Sequence, residues 1–409
     1  MSRCRVAIVA DDLTGALDAA APFAARGARA RVVIALEHLE TCLEAFCAEC
    51  LEGERNGVPQ VIAVNTESRH LSAEEAAARV AEATALLARL SPAVWFKKVD
   101  STLRGQVLAE SVAMMEATGR NLLVAPAVPA QGREVRNAEV WVEGAPLAAT
   151  AYAADGRSRT LQGPLDATFA SAGVAMERWL APLGRDLPDG HCVVDASTQQ
   201  ELALLCDILS RRPERWLLVG AAGLATAIAQ RCFGLMRGAA SPLSGISRCL
   251  FVVGSRSPRA QEQCRRLREH ASTLRVESVL EAASGAEGAA MRLLVPGGQP
   301  GEIRSPEEVA RAMGDRVAAI EREWSGAETR LLFLTGGDIA MAALSRLGGR
   351  FIEVKAEWRP GIALGDLDGD PRRRVMTKAG GFGDAALLLH LHDEIAGPEI
   401  SETGFARLT

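Results

Sequence analysis

The chain has 409 residues, of which 48% are hydrophobic and 24% charged, and its mean hydropathy is +0.07. This length is too great for one ordinary hydrophobic core and predicts two or three domains. The net charge of −5 lacks the basic excess that nucleic-acid binding requires, and no apolar run approaches the ~20 residues of a membrane span. We therefore expect neither nucleic acid nor a membrane as a partner.

The nine cysteines are an odd number scattered through apparent helices and strands, and the first residues lack a signal-peptide core. Both features predict reduced thiols in a cytoplasmic protein. Cys42, Cys47 and Cys50 have the spacing of iron–sulfur ligands. Because they fall in a stretch that predicts an amphipathic helix, we favour buried thiols over a cluster.

Short apolar strands alternate with amphipathic helices along the first half of the chain. A capping box, Ser72 with Glu75, opens one of these helices. Segment 129–170 breaks the alternation and predicts an antiparallel insertion or lid, and 235–247 has the composition of a linker. The strands are expected at 5–10, 61–65, 93–100, 121–128, 191–197 and 215–221.

The same alternation restarts in the second half, where Ser305 and Glu308 form another capping box. The pattern predicts an α/β fold of two three-layer domains with mainly parallel sheets and a ligand cleft between them. We place the domains at 1–236 and 247–409, with the boundary near residue 240. Further strands are expected at 249–255, 273–279, 330–337, 350–358 and 373–381.

Candidate ligand-binding residues follow the predicted strands, because parallel sheets bind ligands at the carboxyl ends of their strands. Asp11 and Asp12 can accept substrate hydroxyls or act as a base, although one of them can simply cap a helix. Arg69 lies in a segment equally consistent with a surface loop. A further set suits a small polyhydroxy acid, with a solvated strand edge as the alternative: Lys97, Lys98, Asp100, Ser101 and Arg104.

The second half carries glycine-lined turns whose backbone can approach phosphates closely. Lysine is rare here, with four against 42 arginines, and Lys378 lies beside one of these turns. A compact ammonium at such a turn suits a phosphate oxygen. The candidates are Gly254, Ser255, Thr335, Gly336, Gly337, Asp338, Lys378, Gly380, Gly381, Phe382 and Gly383, with Asp384 after them.

Other nucleotide and metal motifs are weak or missing from the sequence. G-x-x-x-x-G-K-[ST] does not occur, and neither does H-E-x-x-H, so we expect no P-loop and no protein metal site. Gly381, Gly383 and Ala386 satisfy G-x-G-x-x-A, but no further strand with an acidic residue follows. An NAD(P)-dependent oxidoreductase is therefore a weaker alternative.

Ten motifs, taken in order, resemble the four-carbon acid sugar kinase family from Val6 to about Leu389. They are ADDLTGA, NTESR, KKVDSTLRG, APAVPAQGR, VEGAPLAAT, VVDAST, VGAAGLA, VVGSRS, LTGGDIA and MTKAGGFGD. The resemblance implies an N-terminal domain for the acid sugar and a C-terminal domain for ATP. It also implies phosphorylation of threonate, erythronate or an oxo-tetronate with Mg²⁺–ATP.

Carried over by motif, the resemblance assigns the acid sugar to Asp12, Arg69 and the segment 97–100, with Ser101 and Arg104 beside it. It assigns the nucleotide to Ser255, to 335–338 and to the glycines of GGFG. GGFGD also resembles the turn of ribokinase-type enzymes, so Asp384 and Asp12 are rival candidates for the catalytic base. We expect Lys378 near the β- and γ-phosphates. The sequence departs from the family at Ala221, where serine is expected, and at Glu134, where threonine is usual.

Several properties stay open at this stage. A non-catalytic sensor of sugar acids would use the same residues, and the sequence does not fix the C4 acid, its stereoisomer or the hydroxyl that is phosphorylated. The oligomeric state is also undetermined, with a homodimer as an open alternative.

Overall fold

The computed structural model describes residues 4–51, 58–154, 158, 160–180, 186–236, 243–255, 257–279, 288–297, 305–324, 326 and 328–396. The chain divides into two compact units. The first comprises Met1–Gly238 with Gly349–Gly369, and the second comprises Ala239–Gly348 with Asp370–Thr409.

The first unit begins with strands and helices in strict alternation. They are β1 (Val6–Ala10), α1 (Leu13–Ala24), β2 (Ala30–Val33), α2 (Leu39–Leu51), β3 (Val61–Asn65), α3 (Ala73–Ala88), β4 (Val94–Lys98), α4 (Val107–Thr118) and β5 (Asn121–Ala125). All five residues of β1 and of β3 are buried. Such continuous apolar strands are typical of a parallel sheet that is covered on both faces.

An antiparallel insertion follows β5, which confirms that part of the prediction for 129–170. Its strands are β6 (Arg133–Arg136), β7 (Glu139–Val142) and β8 (Ala145–Pro146), and they pair in sequence order. The unit continues with α5 (Leu165–Ser171), β9 (Met176–Leu180), β10 (His191–Asp195), α6 (Gln199–Leu209), β11 (Trp216–Gly220) and α7 (Ala222–Phe233).

The second unit contains the remaining helices of the described chain. Its elements are β12 (Arg248–Val253), α8 (Pro258–His270), β13 (Arg275–Ser278), β14 (Met291–Val295), α9 (Pro306–Glu323), β15 (Arg330–Thr335) and α10 (Gly337–Arg346). The chain then contributes β16 (Phe351–Arg359) and β17 (Ile362–Leu367) to the first unit, and β18 (Arg373–Lys378) and α11 (Leu387–Ala396) to the second.

The strand order places β1 and β12 at the topological switch points of their sheets. In the first unit the order is β17-β16-β2-β3-β1-β4-β11-β5-β10-β9, with β16 antiparallel to β2 and β17, and all other pairs parallel. In the second unit the order is β13-β14-β12-β15-β18, all parallel. The α/β class and mainly parallel sheets expected from the sequence are confirmed.

The structure divides the chain differently from the predicted domains 1–236 and 247–409. Residues 349–369 belong to the first unit, because Phe351–Val354 pair with Ala30–Val33 of β2. The predicted boundary near residue 240 lies outside the described residues. In the described part of the chain, no helix combines the length and apolar character needed to span a bilayer.

Candidate active site

The first-unit site consists of side chains at the carboxyl ends of β1, β3 and β4. In the order β3-β1-β4 the chain passes from one side of β1 to the other, which makes this edge a topological switch point. Ligands of open α/β sheets bind at such points. The candidate residues at this edge are Asp11, Asp12, Arg69, Lys97, Lys98, Asp100 and Arg104, with Ser101 half-buried beside them.

Arg69 joins the two aspartates that follow β1. Its Nε and Nη2 donate to Asp11 at 2.7 and 2.9 Å, and its Nη1 donates to Asp12 at 2.7 Å. Asp12 also caps α1, accepting from the Gly15 amide at 2.8 Å. Burial alone would raise the pKa of Asp12, but the charges of Arg69 and Lys98 outweigh it and hold that pKa below its usual value. One aspartate is therefore both a helix cap and part of the site.

Lys97 and Lys98 point to opposite faces of the sheet, as the alternation along a strand predicts. The Lys97 ammonium lies 2.8 Å from Glu110 on α4, and both side chains are at most 1% exposed. Ser68 donates to the other Glu110 oxygen at 2.5 Å. The Lys97 ammonium is therefore paired with a buried carboxylate next to the end of β4. It is not directed toward a ligand.

Among the cations of the first-unit site, Lys98 makes the longest ion pair. Its ammonium donates to the Val99 carbonyl at 3.0 Å and lies 3.7 Å from Asp18 on α1. A Cβ atom at Gly15 would come within 3.3 Å of this nitrogen, so glycine leaves room beside it. Burial raises the pKa of Asp18, and the Lys98 charge opposes that shift. The ammonium therefore retains capacity for a further anionic partner.

Arg104, which the family resemblance assigns to the acid sugar, directs its paired hydrogen bonds to Asp100. Its Nε and Nη2 donate to the two Asp100 oxygens at 2.9 and 2.8 Å. Thr102 donates to the same carboxylate at 2.5 Å through its hydroxyl. Burial would raise the pKa of Asp100, but the hydrogen bonds and charge of Arg104 hold it far below its usual range. The Arg104 guanidinium is therefore already paired with a carboxylate of the same chain, and its assignment to the acid sugar stays a prediction.

Carboxylates outnumber cationic side chains in the first-unit site. Four cations face five carboxylates, because Asp18 and Glu110 join the predicted aspartates. Sequence reasoning missed both of these acids. The signal for Glu110 is its position on the buried stripe of α4, with Val107, Ser111 and Met114.

The second-unit site lies at the carboxyl ends of β12, β15 and β18. In the order β14-β12-β15 the chain again reverses direction, which makes a second switch point. Thr335 ends β15 with a buried hydroxyl that has no hydrogen-bond partner among the described residues. Gly336 has φ +97° and caps α10, whose first turn contains Gly337 and Asp338. The unpaired N–H groups of such a helix start favour anions.

Gly254, which follows β12, has a packing role in this site. A Cβ atom there would come within 2.6 Å of the Ile339 side chain on α10. Ser255 lies against Gly380, since a Cβ at that glycine would overlap its hydroxyl. Ser257 caps α8 and donates to the Gly380 carbonyl at 3.1 Å. The turn after β18 is thus packed directly on the turn after β12.

Lys378 was expected to meet phosphates, but its ammonium holds the glycine turn, which we define as residues 379–385. The nitrogen donates to the carbonyls of Ala379, Gly380 and Phe382 at 3.1, 3.1 and 3.2 Å. The side chain is 1% exposed, and burial lowers the pKa of Lys378 to about 8. The described hydrogen bonds of the ammonium are therefore all to the backbone of the turn.

Two further residues complete the second-unit site. Gln263 on α8, which the sequence did not single out, donates to the carbonyls of Phe382 and Asp384 at 3.1 and 2.7 Å. The Asp384 side chain is exposed and accepts from the Ala386 amide at 2.8 Å. Gln263 lies on the buried stripe of α8 with Ala260, Cys264 and Leu267, and a polar residue in such a stripe is the signal that was overlooked.

The two departures from the family motifs have local consequences. Ala221 caps α7 without a side-chain hydrogen bond, which the expected serine would be able to supply. Glu134 accepts from Arg136 at 2.8 Å on the small antiparallel sheet. Among the residues described, no group of three or more His, Cys, Asp or Glu side chains could hold a metal ion. That finding covers the described cysteines of α2.

Two family models match separate parts of the chain. The model of a sugar-binding N-terminal domain matches residues 6–160, and that of a nucleotide-binding C-terminal domain matches 298–388. The chain is 33% identical to a D-threonate kinase of Cupriavidus necator, over 94% of this chain and 96% of that protein. It is 28% identical to a D-threonate kinase of Salmonella typhimurium, with the same coverage. A D-erythronate kinase of Heliobacterium modesticaldum is also 28% identical, over 93% and 95% of the two chains.

Solved structures extend the comparison to the fold. A Salmonella typhimurium protein has a TM-score of 0.74 at 19% identity, covering 95% of this chain and 99% of its own. A Bordetella bronchiseptica protein, crystallised with bound citrate as a domain-swapped dimer, has a TM-score of 0.50 at 27% identity, covering 95% and 98%. Identity above 30% to a named kinase along nearly the full length of both chains shows that this chain belongs to the four-carbon acid sugar kinase family.

Proposed function

We propose that the protein transfers the γ-phosphoryl group of ATP to a hydroxyl of a four-carbon sugar acid. The main support for this proposal is that the chain has two sites of different character. The first-unit site is lined by carboxylates and cations, and the second-unit site is lined by glycine turns. Relatives named as D-threonate and D-erythronate kinases make these acids the first substrates to test. The citrate bound to a related protein supports a small anionic ligand.

The first-unit site supplies the groups that a polyhydroxy acid needs. Asp12 is held ionised by Arg69, so it accepts hydrogen bonds from substrate hydroxyls. Lys98, whose nearest carboxylate lies at 3.7 Å, is the cation that we assign to the substrate carboxylate. Arg69 and Arg104 keep their neighbouring aspartates charged and oriented. Each charged hydrogen bond of this kind contributes about 1.5–3 kcal/mol.

The second-unit site supplies the groups that a triphosphate needs. The Thr335 hydroxyl and the start of α10 offer hydrogen-bond donors to phosphate oxygens, and the glycine turn lets the backbone approach closely. Mg²⁺ bound with the nucleotide neutralises charge on the phosphate oxygens when present. The residues fit this use, since Mg²⁺ in nucleotide sites needs only one or two carboxylates, and Asp338 lies in the first turn of α10.

Asp384 is the better of the two candidates for the catalytic base. Asp12 already accepts from Arg69, Thr14 and the Gly15 amide, and its lowered pKa makes it a weak proton acceptor. Asp384 is exposed at the end of the glycine turn and can accept the hydroxyl proton as the phosphoryl group transfers. Most of the catalysis then comes from positioning and charge neutralisation.

An ADP-release assay over C4 to C6 sugar acids tests the proposal. We expect turnover with a C4 acid, D-threonate or D-erythronate first, and little with C6 acids. Binding of a C4 acid without ADP release would support the alternative of a non-catalytic sensor. Absence of both binding and turnover for every acid would contradict the proposed substrate class.

A further inference from the structure

Gln263 is the one fully buried amide that contacts the glycine turn among the described residues. Its side chain is 0% exposed, and its amide nitrogen donates to the carbonyls of Phe382 and Asp384. These carbonyls flank Gly383, which has φ +87° and would place a Cβ atom 2.8 Å from Leu387. The amide therefore spans a residue of the turn whose positive φ and close packing favour glycine.

Gln263 and Lys378 together engage four carbonyls of the turn. Lys378 donates to those of Ala379, Gly380 and Phe382, and Gln263 to those of Phe382 and Asp384. The Phe382 carbonyl thus accepts from both side chains. Because both donors are buried, these carbonyls are drawn toward the interior of the second unit.

The direction of the carbonyls determines the direction of the neighbouring N–H groups. In a trans peptide the C=O of one residue and the N–H of the next point to opposite sides. The N–H groups of Gly380, Gly381, Gly383 and Ala385 therefore point away from the two buried donors. In the described structure none of these four N–H groups donates a hydrogen bond. Space is open beside Gly381, where a Cβ atom would meet nothing within 4 Å.

Stability alone does not account for glutamine at this position. The other atom of its amide, Oε1, is buried without a hydrogen-bond partner in the described part of the chain. A buried acceptor without a partner is destabilising. Methionine, of similar length and shape, would fill the space without that cost. What glutamine adds is the pair of hydrogen bonds to the turn.

We infer that Gln263 is a positioning residue: with Lys378 it orients the glycine turn so that its N–H groups face the phosphoryl group in transit. The inference rests on the proposed function, because it names the residues that arrange the donor side of that reaction. Backbone N–H groups arranged in this way form an anion-binding concavity. Donors fixed before the reaction stabilise developing charge without reorganisation.

The test compares Gln263→Met with Gln261→Met, a matched change at an exposed position on the same helix. We expect Gln263→Met to retain its melting temperature and its KM values within about threefold, and to lose about 10- to 100-fold in kcat, below the loss for a direct donor. Gln261→Met should match the wild type. A Gln263→Met enzyme with wild-type kcat would overturn the inference.

Hydrogen–deuterium exchange of the segment 379–387 gives a readout that needs no turnover. The amides of Phe382, Ala386 and Leu387 are hydrogen-bonded within this segment and should exchange faster in Gln263→Met alone. Unchanged exchange would contradict the role of Gln263 even if the wild type shows no kinase activity, so this inference and the proposed function fail separately. If Gln263→Met does not fold, Gln263→Asn, which keeps the amide but not its reach, replaces it in both measurements with the same expected results.

Discussion

Replacement of Glu110 by glutamine tests the buried ion pair beneath the first-unit site. The carboxylate lies 2.8 Å from the Lys97 ammonium, and the two side chains are 1% and 0% exposed. Glutamine has the same shape but no charge, so the Lys97 ammonium stays buried and loses its counter-charge, while neutral oxygens such as the Lys98 carbonyl at 2.9 Å still accept from it. Breaking a buried pair from one side costs about 3–5 kcal/mol.

The expected loss is large enough to measure by calorimetry or denaturant unfolding. At roughly 2–4 °C per kcal/mol for a unit of this size, Glu110→Gln should lower the first-unit melting temperature by about 6–20 °C. Glu116→Gln, at an exposed position of the same helix, should change the unfolding free energy by no more than about 0.5 kcal/mol.

A double variant separates the buried charge from the loss of packing. Lys97→Met with Glu110→Met removes both charges and should recover most of the stability that Glu110→Gln loses. If Glu110→Gln stays within about 1 kcal/mol of the wild type, the cost assigned above to a one-sided break is wrong. That result would contradict the structural role assigned to Lys97.

Three further predictions concern the reaction itself. Arg69→Lys cannot reproduce the paired hydrogen bonds to Asp11, so the KM for the acid sugar should rise by about tenfold or more while ATP affinity is unchanged. An unchanged KM for the acid sugar would argue against a role of Arg69 in orienting Asp11 and Asp12 for the substrate. Asp384→Asn should lower kcat by about 10²–10⁴, the usual share of a general base, and near-full turnover would exclude Asp384 as the base. The pH profile of kcat should show an alkaline limb near pH 8, where the Lys378 ammonium loses one of the protons that it donates to three carbonyls. Unfolding free energy should not fall with this limb, because a lysine whose folded pKa is below its usual value opposes folding most while protonated; a flat kcat up to pH 10 would contradict the link.

The sequence predicts the α/β alternation and the strand-end location of polar residues because both follow from local patterns. The capping boxes at Ser72 and Ser305 are present as predicted, since each depends on residues three positions apart. The assignment of 349–369 to the first unit was not predictable in this way. A strand pattern specifies that Phe351–Arg359 forms a strand, but not that it pairs with β2, which is more than 300 residues away in the chain.

The lysines illustrate a second limit of sequence reasoning. Lys97 and Lys378 lie at the ends of strands, as the sequence predicted. However, the Lys97 ammonium binds Glu110, and the Lys378 ammonium binds backbone carbonyls. Which anion a buried lysine meets depends on the packing of a neighbouring helix or turn, and strand alternation carries no information about that. Glu110 and Gln263 were nevertheless detectable, because each is a polar residue on the buried face of an amphipathic helix.

In the proposed reaction the glycine turn at the second-unit edge holds the phosphates of ATP. A crystal structure with a non-hydrolysable ATP analogue and D-threonate tests it most directly. We predict terminal phosphate oxygens within hydrogen-bonding distance of the Gly381 and Gly383 N–H groups, with the triphosphate beside Thr335. A triphosphate bound away from both turns would contradict the account.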